Sequence, residues 1–163
     1  VMLALLVTLQ AVTKSAGQYV TGSCVNLILA VTALAAGPGS GAAVALLSPF
    51  FAFLLGIGPQ SIPIVPAISV GNLVYVLLLW GIVGERCRSL PRKLLAWLGA
   101  AGGKAAVLYL LVVRLLCAAL ALPEKQVTLF TAMFSWPQLV TALAGGGVAL
   151  LAVPIVRKAL GKS

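Results

Sequence analysis

The chain contains no histidine and only two acidic residues among its 163. Those two, Glu85 and Glu124, lie in different segments. That scarcity removes most reaction chemistry. No His or paired carboxylate is available for general acid/base work, for a catalytic triad or for a carboxylate metal site. Cysteine is equally sparse: Cys24, Cys87 and Cys117 are odd in number and form no CxxC pair, so neither a disulfide framework nor a His/Cys metal centre is expected. No GxxxxGK[ST] phosphate loop occurs, so the chain is not expected to hydrolyse nucleotide itself. Proton-coupled exchange would call for a titratable carboxylate within a span, and none is there. The expectation is a protein that is not an enzyme and carries no cofactor.

What is there is apolar. Hydrophobic residues make up 62% of the chain, charged residues 8%, and the mean hydropathy is +1.18. A water-soluble core cannot hide that much apolar surface. With about 20 residues needed per crossing, a chain of this length accommodates about six spans in one domain. The expected fold class is therefore all-α: a polytopic helical bundle of six transmembrane helices, forming a single transmembrane domain over residues 1–163.

The charge is lopsided, with 11 Lys and Arg against the 2 acids. Arg86, Arg88, Arg92 and Lys93 crowd one loop, and Arg157, Lys158 and Lys162 crowd the C-terminal end. This is the positive-inside pattern of a membrane protein, and no basic face interleaved with aromatics suggests nucleic acid. Six crossings with two basic clusters on one side place both termini in the cytoplasm. The expected location is a multi-pass cell-membrane protein in contact with lipid, of the prokaryotic plasma membrane type.

Glycine and proline punctuate the spans. The apolar opening, Val1–Thr13, reads as a first helix rather than a signal peptide; its shortness for a span suggests a truncated start. Polar Lys14–Ser23 reads as an external loop. A second span covers Cys24–Ala36, closed by Gly37-Pro38-Gly39, and a third covers Ala42–Ile57, with Pro49 marking a bend or an unusual start. Three prolines between Pro59 and Pro66 make a rigid external loop. The fourth span is Ala67–Gly84 and the fifth Leu94–Leu122, with Trp97 as an interfacial anchor. The sixth is Gln138–Val156, after a Pro123–Pro137 loop whose anchor is Trp136. Its Gly145-Gly146-Gly147 run invites close helix approach.

A few polar residues stand out against this background. Asn26, Asn72 and Gln138 fall just inside the external ends of the second, fourth and sixth spans. Together with Gln18, Tyr19 and Trp136 they could ring an outward-facing pocket. Singly, each amide could instead tie helices together, a contribution of about 0.6 kcal/mol on average in membranes. Two cations lie in the fifth span. Lys104 reads as snorkelling or as contacting a neighbour's carbonyls. Arg114 reads either as a ligand contact or as snorkelling outward.

With those residues in view, the chain resembles the S component, the substrate-binding membrane subunit, of an energy-coupling factor (ECF) vitamin transporter. The carrying stretches are Gly17–Ser23 leading into Val25-Asn26, Leu47-Ser48-Pro49-Phe50, Pro63 to Gly71-Asn72, and Pro137–Ala142. The resemblance spans essentially the whole chain through length, hydropathy and short motifs. It implies a six-helix receptor that captures a vitamin or related micronutrient near the outer surface, with the first external loop as a lid. It also implies partners: a transmembrane scaffold subunit and two cytoplasmic ATPases, with the receptor toppling in the bilayer to release cargo. The family's scaffold contact is an Ala-x-x-x-Ala spacing on the first helix; Ala4 and Thr8 occupy it here, with Thr in the second place. Substrates in that family are as different as riboflavin, thiamin, folate, biotin and pantothenate. Arg114 favours an anion, and the scarcity of acids disfavours a cation. The alternative reading is a structural or assembly protein without a ligand, and a third, weaker one is a lipid-acting enzyme.

Overall fold

A computed structural model of the chain describes residues 1–84 and 89–161. Glu85, Arg86, Cys87, Arg88 and Lys162, which carry part of the expected basic clusters, lie outside the described residues. All secondary structure among the described residues is helical.

Two glycines set the opening topology. Gly17 (φ 89°, ψ 171°) and Gly37 (φ 99°, ψ 167°) occupy a backbone region essentially reserved for glycine. Each ends one helix and starts the next within a single residue. Helix α1 spans Met2–Thr13 and closes with a tight turn over Lys14–Ala16. Helix α2 runs Gln18–Val31 and continues through a widened π turn over Thr32–Ala36. Helix α3, Pro38–Leu54, begins on a proline whose missing N–H costs nothing in the first turn. Helices α4 (Ile64–Val83), α5 (Leu90–Leu108, prolonged through a π stretch to Ala119), α6 (Glu124–Met133) and α7 (Trp136–Ala159) complete the chain.

Several boundaries differ from the sequence expectation, each for a local reason. The polar stretch Lys14–Ser23 is a loop only as far as Gly17. From Gln18 onward it is helical, because its hydroxyls find backbone acceptors: Thr21 Oγ1 donates to Thr13 O at 2.8 Å and Ser23 Oγ to Tyr19 O at 2.7 Å. Helix α4 starts at Ile64 rather than Ala67. Pro66 then sits in the first turn, where no intrahelical N–H bond is lost. The expected Pro123–Pro137 loop contains α6, whose Phe130 is buried against Phe134 with ring centroids 6.4 Å apart. Pro49 lies inside α3, and Ser69 Oγ of α4 donates to Leu46 O at 2.9 Å beside this break.

Among the described residues, four helical stretches are long and apolar enough to cross a membrane: Gln18–Ala36, Ile64–Val83, Leu90–Ala119 and Glu124–Ala159. Helices α1 and α3, at 12 and 17 residues, are apolar but shorter. The outer surface carries large apolar side chains, among them Phe50, Leu54, Leu77, Leu110, Leu151 and Ile155, all exposed. So many exposed large apolar side chains, on helices long enough to span a bilayer, fit a protein solvated by lipid.

Small residues bring the helices together. A Cβ on Gly145 of α7 would fall 2.7 Å from Leu27 N of α2, and one on Gly71 of α4 would fall 2.6 Å from Leu108 Cγ of α5. The three-glycine run splits its contacts, with Gly145 against α2 and Gly146 and Gly147 against Trp97. Trp97 is thus a packing residue as well as an amphipathic one, its Nε1 donating to Leu143 O at 2.8 Å. At the end bearing the α2–α3 turn, Arg157 Nη2 donates to Leu34 O at 2.7 Å, capping a carbonyl of the last turn of α2.

Candidate functional site: a polar cavity around Lys104

On α5, Ala96, Ala100, Lys104, Leu108 and Val112 recur every four residues, and all are buried. One face of the helix therefore points inward and takes the lysine with it. Lys104 is only 3% exposed. Its Nζ donates to Asn26 Oδ1 of α2 at 2.6 Å and to Asn72 Oδ1 of α4 at 2.7 Å, and stands 5.6 Å from the centre of the Tyr75 ring. Those lengths are at the short end for N–H···O bonds, as expected of a charge-assisted donor.

Both amides are oriented by their neighbours. Asn26 Nδ2 donates to Gly22 O at 2.9 Å and to Thr141 Oγ1 of α7 at 3.3 Å, and Thr141 Oγ1 in turn donates to Gln138 O at 3.2 Å. Lysine offers only donors, so Asn72 must also present its oxygen. Its Nδ2 makes no hydrogen bond among the described residues. Three helices thus hold one ammonium group through two amide oxygens, with no acidic partner among the described residues.

This group forms part of the wall of a cavity of about 310 Å³. The polar lining includes Gln18, Asn26, Asn72, Lys104 and Gln138, and the apolar lining includes Phe53, Val65, Ile68 and Phe134. Two further lining atoms are buried without a hydrogen-bond partner, Ser48 Oγ of α3 and Gln10 Oε1 of α1. Buried polar atoms are ordinarily paired, so two orphans on residues of one cavity wall single that wall out.

The cavity lies at the end of the bundle formed by the α1–α2 turn, the α3–α4 loop and the α6–α7 break. Lys14 Nζ ties the first two by donating to Gly56 O at 2.7 Å. Gln18 Nε2 and Gln138 Nε2 converge on Met133 O at 2.7 and 3.1 Å, joining α2 and α7 to the end of α6. The basic residues Arg92, Lys93, Arg157 and Lys158 lie on segments at the opposite end of the helices.

Of the seven residues singled out in the sequence, Gln18, Asn26, Asn72 and Gln138 line the cavity together. The other three do not. Tyr19 is exposed on the outer face of α2, one residue and about 100° round the helix from Gln18. Arg114 is exposed on the π stretch of α5, two residues from buried Val112 and so on the other face. Trp136, exposed at the start of α7, borders a separate shallow surface recess with Tyr109 and Leu139. Lys104 is the cation at the site; its contacts are side-chain amides of two neighbouring helices, and it does not snorkel. Sequence reasoning did not single out Ser48, Gln10 or Thr141 as site residues, although Ser48 and Thr141 fall within stretches that carried the resemblance; each is an unremarkable residue type taken singly. Ala4 and Thr8 are exposed on α1.

Compared with known proteins, the chain matches no family model, no curated protein and no solved structure.

Proposed function

We propose that the chain is a solute-binding subunit of a membrane importer, capturing a vitamin or related micronutrient in the Lys104 cavity. The observation that carries this reading is the cavity itself: a buried ammonium held by Asn26 and Asn72 lines one space with Gln18 and Gln138, and the unpartnered Ser48 and Gln10 belong to the same wall. A bundle whose amides served only to join helices would satisfy those groups and close over them.

In the finer form of the proposal, the protein acts as an ECF-type S component. Six segments cross a prokaryotic plasma membrane, α1 and α3 being the short ones, and both ends face the cytoplasm with the basic clusters. The cavity then opens outward, and Lys14, Gly17 and the 56–59 loop form its rim. Energy comes from outside the chain, from two cytoplasmic ATPases acting through a membrane scaffold subunit. The exposed face of α1 with Ala4 and Thr8 is the proposed scaffold contact.

The test is a thermal-shift screen of water-soluble micronutrients on the purified protein in detergent. At least one compound should raise Tm in a saturable, concentration-dependent way. A full panel without any shift would refute a solute-binding role.

A further inference from the structure

We infer that the occupant of this cavity is a small monocarboxylate with a largely apolar body, its carboxylate received by Lys104 Nζ and Asn72 Nδ2. This rests on the reading of the cavity as a solute site and specifies the class of solute.

The argument starts from an incomplete shell. An ammonium group has three donors, and the described residues accept two of them, through Asn26 Oδ1 and Asn72 Oδ1. The third has no acceptor among those residues, although Lys104 is 3% exposed and lines the cavity. Two amide oxygens supply dipoles but no negative charge. A buried cation held only by dipoles is strongly stabilised by an anion entering the same space. Asn72, whose oxygen is engaged by the lysine, brings an Nδ2 with no acceptor next to that third proton. One cationic N–H beside one amide N–H matches the two oxygens of a carboxylate.

The charge count favours a monoanion over a phosphate. Among the described residues, the cations lining the cavity are Lys104, which is buried, and Lys14, which is exposed at the rim with its Nζ donating to Gly56 O. No arginine is among the described lining residues, whereas a dianionic phosphate with its several acceptor oxygens is ordinarily held by more donors. The rest of the wall sets the body of the solute. Phe53, Val65, Ile68 and Phe134 are apolar.

The experiment compares acids with their own amides on the full-length protein in detergent, using nicotinate and nicotinamide, biotin and biotinamide, and lipoate and lipoamide, with phenyl phosphate as the phosphate arm. At least one acid should stabilise the protein and bind about tenfold or more tightly than its amide, the order expected of one buried charge-assisted hydrogen bond. The preference should vanish in Lys104→Gln. It should also vanish in Asn72→Asp, which supplies the missing anion from the protein and keeps Lys104 with both of its oxygen acceptors. If a neutral, cationic or phosphate-bearing solute binds the wild type while no acid is preferred over its amide, the carboxylate inference fails and the solute-binding role stands. If neither this set nor the micronutrient panel produces a shift, both fail.

Discussion

Replacing Lys104 by methionine leaves Asn26 Oδ1 and Asn72 Oδ1 buried without their donor. An orphaned buried acceptor costs about 1–3 kcal/mol in soluble proteins, while interhelical hydrogen bonds in membranes average about 0.6 and reach about 1.7 kcal/mol. Loss of the costly buried charge offsets part of this. The net for two orphans is about 1–3 kcal/mol, or a fall in Tm of roughly 3–10 °C for a chain of this size. The informative variant is the triple replacement Lys104→Met, Asn26→Leu, Asn72→Leu, in which donor and acceptors go together. Removing all partners of a buried polar network in favour of apolar groups is near neutral or stabilising. The triple variant should therefore regain the wild-type Tm to within about 1 kcal/mol equivalent, yet show no solute response. Thermal unfolding in detergent followed by tryptophan fluorescence gives the readout, with Trp97 reporting from the α5–α7 contact. A triple variant no more stable than Lys104→Met alone would mean that the trio serves to hold helices together, and the reasoning for a binding site would fall.

Other outcomes follow from the same geometry. Gly145→Leu should destabilise by roughly 3 kcal/mol or more, since its side chain would meet the α2 backbone at Leu27 N, which cannot move aside; a loss of folded monomer by size-exclusion chromatography checks it. Arg114→Leu should leave solute affinity unchanged within about twofold, because Arg114 is exposed and away from the cavity; isothermal titration decides, and a large loss would move the site. Lys14→Ala removes the tie to Gly56 O at the cavity rim and should speed solute dissociation several-fold with little change in Tm, measured by stopped-flow fluorescence.

The membrane class and helical fold were legible in the sequence because composition decides them and because glycine and proline mark the breaks. The amides of the site were legible too. An Asn or Gln in an apolar span is conspicuous, and alternating crossings put Asn26, Asn72 and Gln138 toward one end. Helix rotation was harder to read. Lys104 follows a basic loop closely and so resembles a snorkelling residue. Yet Ala96, Ala100, Leu108 and Val112 at four-residue spacing mark the buried face on which it lies. The same periodicity turns Arg114 outward. Helix α6 was hidden by its polar start, Glu124-Lys125-Gln126, which in isolation looks like a loop; only the packing of Phe130 on Phe134 shows why it is helical. Gln10 carried no signal in sequence, and Ser48 stood out only within the Leu47-Ser48-Pro49-Phe50 stretch, because what distinguishes them is the absence of a partner across three-dimensional space.

The most direct measurement of the central claim is native mass spectrometry of the protein extracted gently from cell membranes, compared with Ser48→Leu, which puts a larger side chain at a buried position of the cavity wall. The account predicts a small molecule retained by the wild type at up to one per chain and absent from the variant, with its mass matching a carboxylic acid. A wild-type protein that carries no small molecule, even after incubation with the micronutrient panel, would contradict it.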